Sequence, residues 1–484
     1  MKICIIADIH LPYIRNTVQY DALDFALEDS EKKNADLIVF CGDQTADGNK
    51  ETAEYLTDKM KKHSIPYLII SGNADYRKNE KIFSESSCIN EFDKFKIFML
   101  HDGLQNLTGN DLLCLNKAEK YDLVFLHHPY FSLNEPYRTK FLKWRNNHTD
   151  TKVFYAHLHR YSETNNDISL PALDPDKNIG ESPCIVYYDT ETKNLDKSYY
   201  YCHTPDDFIK NCGISCYKTI EDIIFSAEHK LKSIELRPQA IKCNLDELKS
   251  SIEKWRIAGG NNLSVHFPDI KYENGIITGK DEILQFCNFV KEIKAERITI
   301  HVPIAGSETL YKENSLEKIS SYYAEFINSL PQNITVGIEN LHMKEKNRKE
   351  NTKPFGCIPC EIIEFCKSIK AKTKHNVGIN LDIGHARNNS PLSIENTLGV
   401  WYSQVGKMCV GYHVHQVTSN NGVFENHTPI TENYGKLISL ASFYKCMSDG
   451  ILADAPIIFE IRTPGGAAKT IEFFKNENQK QSDI

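Results

Sequence analysis

The C-terminal part of the chain alternates between short apolar runs and amphipathic stretches, and this alternation restricts the fold more than any other feature. Eight runs have the length and β-branched content of buried strands; they are NCGISCY, LKSIELRP, NLSVHFP, RITIHVP, ITVGIEN, NVGINLD, VGYHVHQ and APIIFEIR. Helical patterns such as DEILQFCNFVKEIKAE separate most of them. Eight strand–helix units over roughly 260 residues predict a (β/α)8 barrel.

The N-terminal part has a different rhythm, in which apolar runs of about five residues end abruptly in polar clusters. These runs are KICIIADIH, ADLIVFCGD, IPYLIISGN, KIFML, YDLVFLHH, TKVFYAHLH and SPCIVYYD. A helical pattern at 20–34 lies between the first two and indicates a βαβ start. We therefore predict an α/β domain over 1–203, the barrel over 211–475 and a polar tail over 476–484.

Composition narrows the class of protein. The 484 residues include 57 Lys and Arg against 65 Asp and Glu, a formal net charge of −8 that gives no global attraction to nucleic acid. No apolar run approaches the ~18 residues of a membrane helix, and the apolar stretch 3–7 is too short for a secretory signal. The 15 cysteines are scattered, as reduced thiols are. We expect a cytoplasmic protein with no membrane partner.

Polar side chains follow the predicted strands of the N-terminal domain. They are Asp8, His10, Asp43, Asn73, His127, His128, His157 and His159. Because strand ends meet at one edge of an α/β sheet, we expect these carboxylate, imidazole and amide groups to share a divalent-metal site. Asp43, directly after Gly42, is the expected bridge between two ions. Taken alone, a residue such as His157 is equally compatible with a hydrogen-bonded core histidine.

The motifs D-x-H, G-D, G-N-x-D, H-H-P and H-x-H occur in this order, and over about 200 residues the chain resembles the calcineurin-like metallophosphoesterases. The resemblance implies an α/β sandwich that binds two Mn, Fe or Zn ions and hydrolyses phosphoesters by attack of a metal-activated hydroxide. One ion would be held by Asp8, His10, Asp43 and His159, and the other by Asp43, Asn73, His127 and His157.

Two positions depart from that family pattern. Many relatives have a histidine after the motif asparagine to protonate the leaving group, and this chain has Ala74. The proton must then come from His128, the expected catalytic acid, or from a metal-bound water. Ala156 replaces the usual glycine before the last motif, which is a mild change.

The ends of the predicted barrel strands carry a second set of ligand-competent side chains. They are His266, His301, Glu339, Asp382, His385, His415 and Glu460, with Glu425 and His427 in the loop FENHTPI. Strand C-termini form the active face of a (β/α)8 barrel. So many carboxylates and imidazoles at one mouth favour bound metal. His266 or His301 alone is also compatible with a core histidine.

This half resembles the xylose isomerase-like TIM barrels, which include sugar isomerases, epimerases and endonuclease IV-type nucleases. The isomerase branch needs only Glu339, Asp382, His415 and Glu460. The nuclease branch implies up to three Zn or Mn ions in three ligand groups. These groups are His266, His301 and Glu339; Glu339, Asp382, His415 and Glu460; and His385, Glu425 and His427. Glu425 departs from the nuclease pattern, which has aspartate there.

Two smaller features have plain interpretations. The loop 342–356 carries five basic and two acidic residues; it overhangs the predicted mouth and could contact phosphates, although a solvated charged loop is the simpler interpretation. Cys357 and Cys360 form a lone C-x-x-C with no partner pair, which is typical of packing rather than of a zinc site.

The sequence therefore predicts a bifunctional metal-dependent hydrolase, a nuclease or phosphatase acting on nucleic acid or nucleotides, with His128, Glu339 and Glu460 in catalytic roles. The alternative is a sugar or sugar-phosphate isomerase or epimerase fused to a sugar-phosphate phosphatase, in which Glu339 and Glu460 transfer a proton. A metal-dependent scaffold with one inactive domain is a third class. The predicted partner is a phosphorylated substrate, and the pattern indicates no oligomeric state.

Overall fold

A computed structural model describes residues 1–78, 80–92, 95–117, 119–205, 208–312, 314–420 and 423–482. The chain forms two compact units. The first comprises Met1–His203 and Asn433–Lys445, and the second comprises Thr204–Glu432 and Cys446–Ile484. No helix among the described residues is long and apolar enough to cross a membrane.

The first unit contains two sheets. Its strands are β1 (Lys2–Ile6), β2 (Leu37–Cys41), β3 (Tyr67–Ile70), β4 (Ile89–Phe92), β5 (Phe95–Met99), β6 (Leu123–Leu126), β7 (Lys152–Tyr155), β8 (Ser162–Thr164), β9 (Asp167–Ser169), β10 (Cys184–Asp189) and β11 (Leu195–Tyr199). Its helices are α1 (Val18–Lys32), α2 (Lys50–Lys62), α3 (Gly109–Asn116) and α4 (Tyr137–Asn147). The strand orders are β11-β10-β1-β2-β3 and β4-β5-β6-β7-β9-β8.

The core of this unit lies between the two sheets. Alternate residues of both sheets, such as Ile3 and Val39 from one and Met99 and Phe125 from the other, belong to one buried apolar cluster. The segment 433–445 contributes to the same unit, where the Ser439 hydroxyl donates to Asn178 Oδ1 at 2.7 Å. The predicted bounds 1–203 and 211–475 did not include this returning segment, and as boundaries they stay a prediction.

The second unit is built on a closed barrel of eight parallel strands, as predicted. These are β12 (Cys212–Cys216), β13 (Ser233–Leu236), β14 (Asn262–His266), β17 (Arg297–His301), β18 (Thr335–Glu339), β19 (Asn376–Asp382), β20 (Cys409–Val414) and β23 (Ile457–Phe459). Two hairpins, β15 (Lys271–Glu273) with β16 (Ile276–Thr278) and β21 (Gln416–Asn420) with β22 (Val423–Thr428), extend beyond the barrel. Each of the eight apolar runs identified in the sequence forms one barrel strand.

Helices separate most of these strands. They are α5 (Thr219–Glu228), α6 (Leu245–Ile257), α7 (Lys280–Ile293), α8 (Ser307–Leu310), α9 (Ser315–Asn328), α10 (Glu345–Glu350), α11 (Pro359–Lys370), α12 (Ile383–Arg387), α13 (Leu398–Val405), α14 (Ala441–Ser448) and α15 (Gly466–Ser482). Strand register places the polar strand ends side by side: His301 is paired with Glu339 on the neighbouring strand, and Asp382 is paired with His413.

Candidate metal centres

The predicted ligands of the first unit lie on loops with an uncommon backbone conformation. Five of them have positive φ angles, a region that non-glycine residues rarely adopt: Asp8 (49°), His10 (46°), Asp43 (53°), His157 (69°) and His159 (56°). Such conformations persist only where the surrounding structure enforces them, and they concentrate at functional sites. The loops after these strands therefore have backbone conformations that an ordinary turn would not need.

These loops bring the predicted side chains into one cluster. His10 Nε2 lies 3.2 Å from Asp43 Oδ2, and His127 Nε2 lies 3.5 Å from Asp43 Oδ1. Asn73 Oδ1 is 3.1 Å from the same His127 nitrogen. His159 Nε2 lies 3.7 Å from Asp8 Oδ1. Asp43 thus has one oxygen toward each of the two predicted ligand groups, as a bridging carboxylate would.

Glycines make this close approach possible. A Cβ atom at Gly72 would lie 2.3 Å from Asp43 Oδ1, and one at Gly42 would lie 2.2 Å from His127 Nδ1. Any side chain at either position would displace a predicted ligand. Asp75, the last residue of the G-N-x-D motif, accepts a hydrogen bond from the Gly72 N–H at 2.9 Å and so fixes the same loop.

His128 is placed beside the cluster and held by Asp102. The Asp102 carboxylate accepts the backbone N–H groups of His127 and His128 at 2.8 and 2.7 Å, and its backbone oxygen lies 3.0 Å from His128 Nδ1. Burial lowers the pKa of His128, but the Asp102 carboxylate outweighs burial and the pKa is raised. The ring packs against His157 at 4.6 Å between centroids. Asp102 thus fixes the His128 ring, which is also near enough to His127 and His157 to act as a ligand.

Glu339 is the centre of the barrel cluster. Its Oε2 lies 3.2 Å from His266 Nε2 and 3.3 Å from His413 Nδ1, and its Oε1 lies 3.5 Å from His301 Nε2 and 3.6 Å from His385 Nδ1. Burial raises the pKa of this fully buried carboxyl group, but His413 and His301 outweigh burial and hold it well below its usual range. One carboxylate therefore faces four histidines.

The structure adds His413 to the residues of the predicted quartet. His413 is grouped with Glu339, Asp382 and Glu460, and its Nδ1 lies 2.9 Å from Glu460 Oε2. His413 is inside β20, whereas His415 follows the end of the strand, and His415 Nε2 lies 3.2 Å from Asp382 Oδ1. Both residues point to the same side because strand residues two apart share a face, so the pattern alone did not separate them.

The predicted third group is only partly assembled. The rings of His385 and His427 are 5.7 Å apart between centroids, and Glu425 shares the wall of the same cavity. The Glu425 side chain is exposed, and His427 instead points its Nε2 at Glu460 Oε1, 3.2 Å away. His342, which the sequence analysis did not select, stacks on His385 at 4.6 Å between centroids.

The chemistry of these groups fits divalent cations. Among the described residues, several buried carboxylate oxygens of the two clusters have no hydrogen-bond partner, and they include Asp8 Oδ1, Glu339 Oε1 and Asp382 Oδ2. Burying an unpaired carboxylate oxygen is costly without a compensating cation. Burial and the neighbouring Asp43 raise the pKa of Asp8 well above its usual value, which shows the same deficit of positive charge.

The orientation of the histidines supports this fit. His127 Nδ1 lies 3.0 Å from the Cys41 carbonyl oxygen, His266 Nδ1 lies 2.9 Å from the Phe267 carbonyl oxygen, and His301 Nδ1 lies 2.7 Å from Asp269 Oδ1. With the proton on Nδ1, each ring directs the lone pair of Nε2 into its cluster. Metal-binding histidines are oriented in this way by their second nitrogen.

Sequence reasoning missed three buried charges next to the clusters. Asp174 Oδ2 lies 3.4 Å from His10 Nδ1. It follows the buried stretch 170–173, but Pro171 interrupts that stretch, so it did not stand out as a strand end. Glu235 Oε1 lies 3.0 Å from His413 Nε2, and Arg237 Nη1 lies 3.2 Å from Glu460 Oε1. Glu235 is the one charged residue of the buried strand SIEL, and this feature could have identified it from the sequence.

Two family models match the chain. The calcineurin-like phosphoesterase model matches residues 1–178, and the xylose isomerase-like TIM barrel model matches residues 223–477. No curated protein matches the chain.

Similar solved structures span the barrel portion of the chain. A D-tagatose 3-epimerase-like protein is 20% identical, with 56% of this chain and 98% of that chain covered and a TM-score of 0.40. D-psicose 3-epimerase from Clostridium cellulolyticum is 14% identical, with 56% and 98% covered and a TM-score of 0.41. Endonuclease IV from Thermus thermophilus is 12% identical, with 56% and 99% covered and a TM-score of 0.40.

Proposed function

Because the chain belongs to the xylose isomerase-like TIM barrel family and carries a calcineurin-like phosphoesterase domain ahead of the barrel, we propose that it is a phosphoesterase with two metal-dependent centres that acts on nucleic acid or nucleotides. The barrel would cleave a phosphodiester, and the N-terminal domain would hydrolyse a phosphomonoester or diester. Divalent ions of the Mn, Fe or Zn type supply the Lewis acidity that polarises a phosphoryl group and activates water in such sites.

The position of Glu339 is the observation that most supports hydrolysis in the barrel. Glu339 belongs both to a group with His266 and His301 and to a group with Asp382, His413 and Glu460, so it can bridge the two groups. A bridged pair of ions suits displacement at phosphorus, whereas a single ion suffices for sugar isomerisation. His385, Glu425 and His427 are the proposed ligands of a third ion.

Basic side chains around the mouth fit a phosphorylated substrate. A cavity of about 670 Å³ is lined by Arg237, Lys344 and Arg462 together with His301 and His427. Arg237 and Arg462 both lie within 3.2 Å of Glu460 Oε1, and they keep nitrogen donors close to the cluster. Arginine forks match phosphate geometry, so these residues are the proposed contacts to the substrate phosphate.

His128 is the proposed proton donor of the first centre, where Ala74 replaces the more usual histidine. Its raised pKa keeps the imidazole protonated nearer to neutral pH, and Asp102 fixes the ring. Donation of that proton to the leaving oxygen would complete hydrolysis of a phosphoester whose alcohol is a poor leaving group.

A sugar isomerase or epimerase barrel is the second candidate, because Glu339, Asp382, His413 and Glu460 form a fully buried group that can hold one ion. In that mechanism Glu339 and Glu460 abstract and return a carbon-bound proton. Burial raises the pKa of Glu460, but Arg237 and His413 outweigh burial and hold it well below its usual range. A carboxylate that is held in its charged form is a weak base for a carbon-bound proton, which favours hydrolysis over isomerisation.

The test compares activities of the metal-loaded full-length protein and two variants. Phosphomonoester, phosphodiester and DNA substrates assay hydrolysis, and deuterium exchange into ketoses assays isomerisation. We expect Asp43→Asn to remove only the N-terminal activity and Glu339→Gln to remove only barrel hydrolysis. The controls Asp58→Asn and Glu253→Gln change exposed carboxylates and should leave both intact. Ketose exchange that depends on Glu339, without phosphodiester cleavage, would establish the second candidate instead.

A further inference from the structure

The first unit contains a third cluster of ligand-competent side chains that neither centre uses. Cys88 precedes β4, His101 follows β5, and Asp111 lies in the first turn of α3. His101 Nδ1 is 3.0 Å from Asp111 Oδ1, Cys88 Sγ is 3.3 Å from the same oxygen, and Cys88 Sγ is 3.7 Å from His101 Nδ1. Three different donor atoms thus form a small triangle at the junction of two strands and a helix.

A second thiol lies beside the group. Cys114 is one helical turn after Asp111 on α3, and the neighbouring Cys88 is among the groups that shift its pKa upward. Asp111 and Cys114 therefore present a carboxylate and a thiol on the same face of the helix, as residues three apart do. Both are buried in the structure.

The size of the triangle matches tetrahedral coordination. Zinc binds nitrogen and oxygen at about 2.0–2.2 Å and sulfur at about 2.3 Å, so the edges between its ligands are about 3.3–3.8 Å. The three distances of 3.0, 3.3 and 3.7 Å are close to those edges without any movement of the backbone. Zinc also accepts a mixture of thiolate, imidazole and carboxylate ligands.

The tautomer of His101 argues for a cation as well. Its Nε2 lies 2.8 Å from the Ser86 carbonyl oxygen, so that nitrogen carries the proton and donates it. Nδ1 of a neutral ring then turns its lone pair toward the Asp111 carboxylate. This arrangement is stable only if Nδ1 is protonated, giving an ion pair, or if a cation is bound by both groups. The backbone-carbonyl partner on Nε2 is the orientation that metal-binding histidines have.

We infer that Cys88, His101 and Asp111 form a zinc site that joins α3 to the β4–β5 strands, and that rotation of the neighbouring Cys114 side chain supplies the fourth ligand of a tetrahedral shell. Four protein ligands are typical of a structural site, with no position left for substrate. His101 directly precedes Asp102, which holds the backbone of His127 and His128. A zinc ion there would stabilise the strand end from which the first catalytic centre is positioned.

The thiols give a specific optical test, because the other two centres offer only nitrogen and oxygen ligands. The full-length protein is stripped of metal and reloaded with Co²⁺. We expect a thiolate-to-cobalt charge-transfer band in the near ultraviolet that is lost in Cys88→Ser, weakened in Cys114→Ser and unchanged in Cys360→Ser, which alters an exposed cysteine. Wild-type protein without this band at saturating Co²⁺ would overturn the zinc site and leave the His101–Asp111 ion pair.

Two measurements on the wild-type chain keep the inference testable if a variant does not fold. When Co²⁺ is loaded selectively into the two centres, elemental mass spectrometry should still find one further zinc ion per chain. Alkylation followed by peptide mass spectrometry should show Cys88 and Cys114 protected with zinc and modified after chelation. Equal alkylation in both states, or a Cys88–Cys114 disulfide in the purified protein, would contradict the proposal.

Discussion

The two centres use the same ligand types on very different backbones. In the first unit, five predicted ligands have positive φ angles, and all five lie on loops after strands. In the barrel, His266, Glu339 and Asp382 are the last residues of their strands, and His413 is inside its strand. Among the described barrel ligands only His427 has a positive φ angle.

This difference shows two ways to hold the predicted metal ligands at fixed distances. In the first unit the loops adopt strained backbone conformations. Glycines and buried carboxylates such as Asp75 and Asp102 stabilise these conformations. The barrel needs little strain, because hydrogen-bonded register already sets neighbouring strand ends side by side, as for His301 and Glu339. The first centre should therefore be sensitive to changes in loop shape, and the second to changes in the side chains that orient its ligands.

Removal of metal should have the largest effect and should differ between the two units. Asp8 and Asp43 face histidines, whereas Glu460 also faces Arg237 and Arg462. An ion present at 1,000 times its Kd stabilises a fold by about 4 kcal/mol, and the barrel retains arginines that partly replace it. We expect chelation to abolish both activities and to increase hydrogen exchange more in peptides of the first unit. Equal increases in the two units would contradict this contrast.

A methyl group at Gly72 should inactivate the first centre alone. Its Cβ would lie 2.3 Å from Asp43 Oδ1 and 2.6 Å from His127 Cε1, so both predicted ligands must move. We expect Gly72→Ala to lower kcat/KM for phosphomonoester hydrolysis by about 10³-fold and to leave barrel activity unchanged. Gly109→Ala is the matched control, because nothing lies within 4 Å of its new Cβ. Near-normal activity of Gly72→Ala would mean that the loop is not held by close packing.

Strand ends were the predictable part of both centres, because an apolar run that stops at a charged residue indicates where a buried strand meets solvent. Thus Asp8, Glu339 and Asp382 were identified from the sequence alone. The eight barrel strands were also predictable from their apolar runs, and the family matches confirm the barrel and the phosphoesterase domain.

Local pattern did not determine which residues meet across the fold. His413 and His415 share a face and both lie beside cluster carboxylates, Glu460 for His413 and Asp382 for His415, so their spacing does not tell which of them is the ligand. Glu425 follows a plausible ligand spacing, yet hairpin pairing with Thr418 places it on an exposed strand. Asp174 meets His10 across more than 160 residues of chain, a contact that no spacing rule contains.

The contributions of His413 and His415 to metal binding can be compared directly. His413 contacts Glu339 and Glu460, whereas His415 contacts Asp382 and accepts the His427 backbone N–H at 3.0 Å. We expect His413→Ala to lower barrel hydrolysis by about 10²-fold and to remove an ion, and His415→Ala to lower it by about 10-fold without loss of metal. Elemental mass spectrometry of both variants checks this order, and a reversed order would restore the quartet predicted from the sequence.

Glu235 should have the smallest effect, because it acts through His413 and does not enter the mouth. Its carboxylate lies 3.0 Å from His413 Nε2 and accepts the Thr299 hydroxyl at 2.7 Å. Glu235→Gln keeps the size and one acceptor oxygen but removes the charge that makes His413 a stronger ligand. We expect about a 10-fold weaker affinity for the metal shared with Glu339, an unchanged first centre and, at saturating metal, nearly full barrel activity. Metal titration of the variant distinguishes this positioning role from a structural one, since a merely destabilised barrel would lose activity that added metal does not restore. Recovery at high metal would show that register places the barrel ligands and that a buried carboxylate only adjusts their strength.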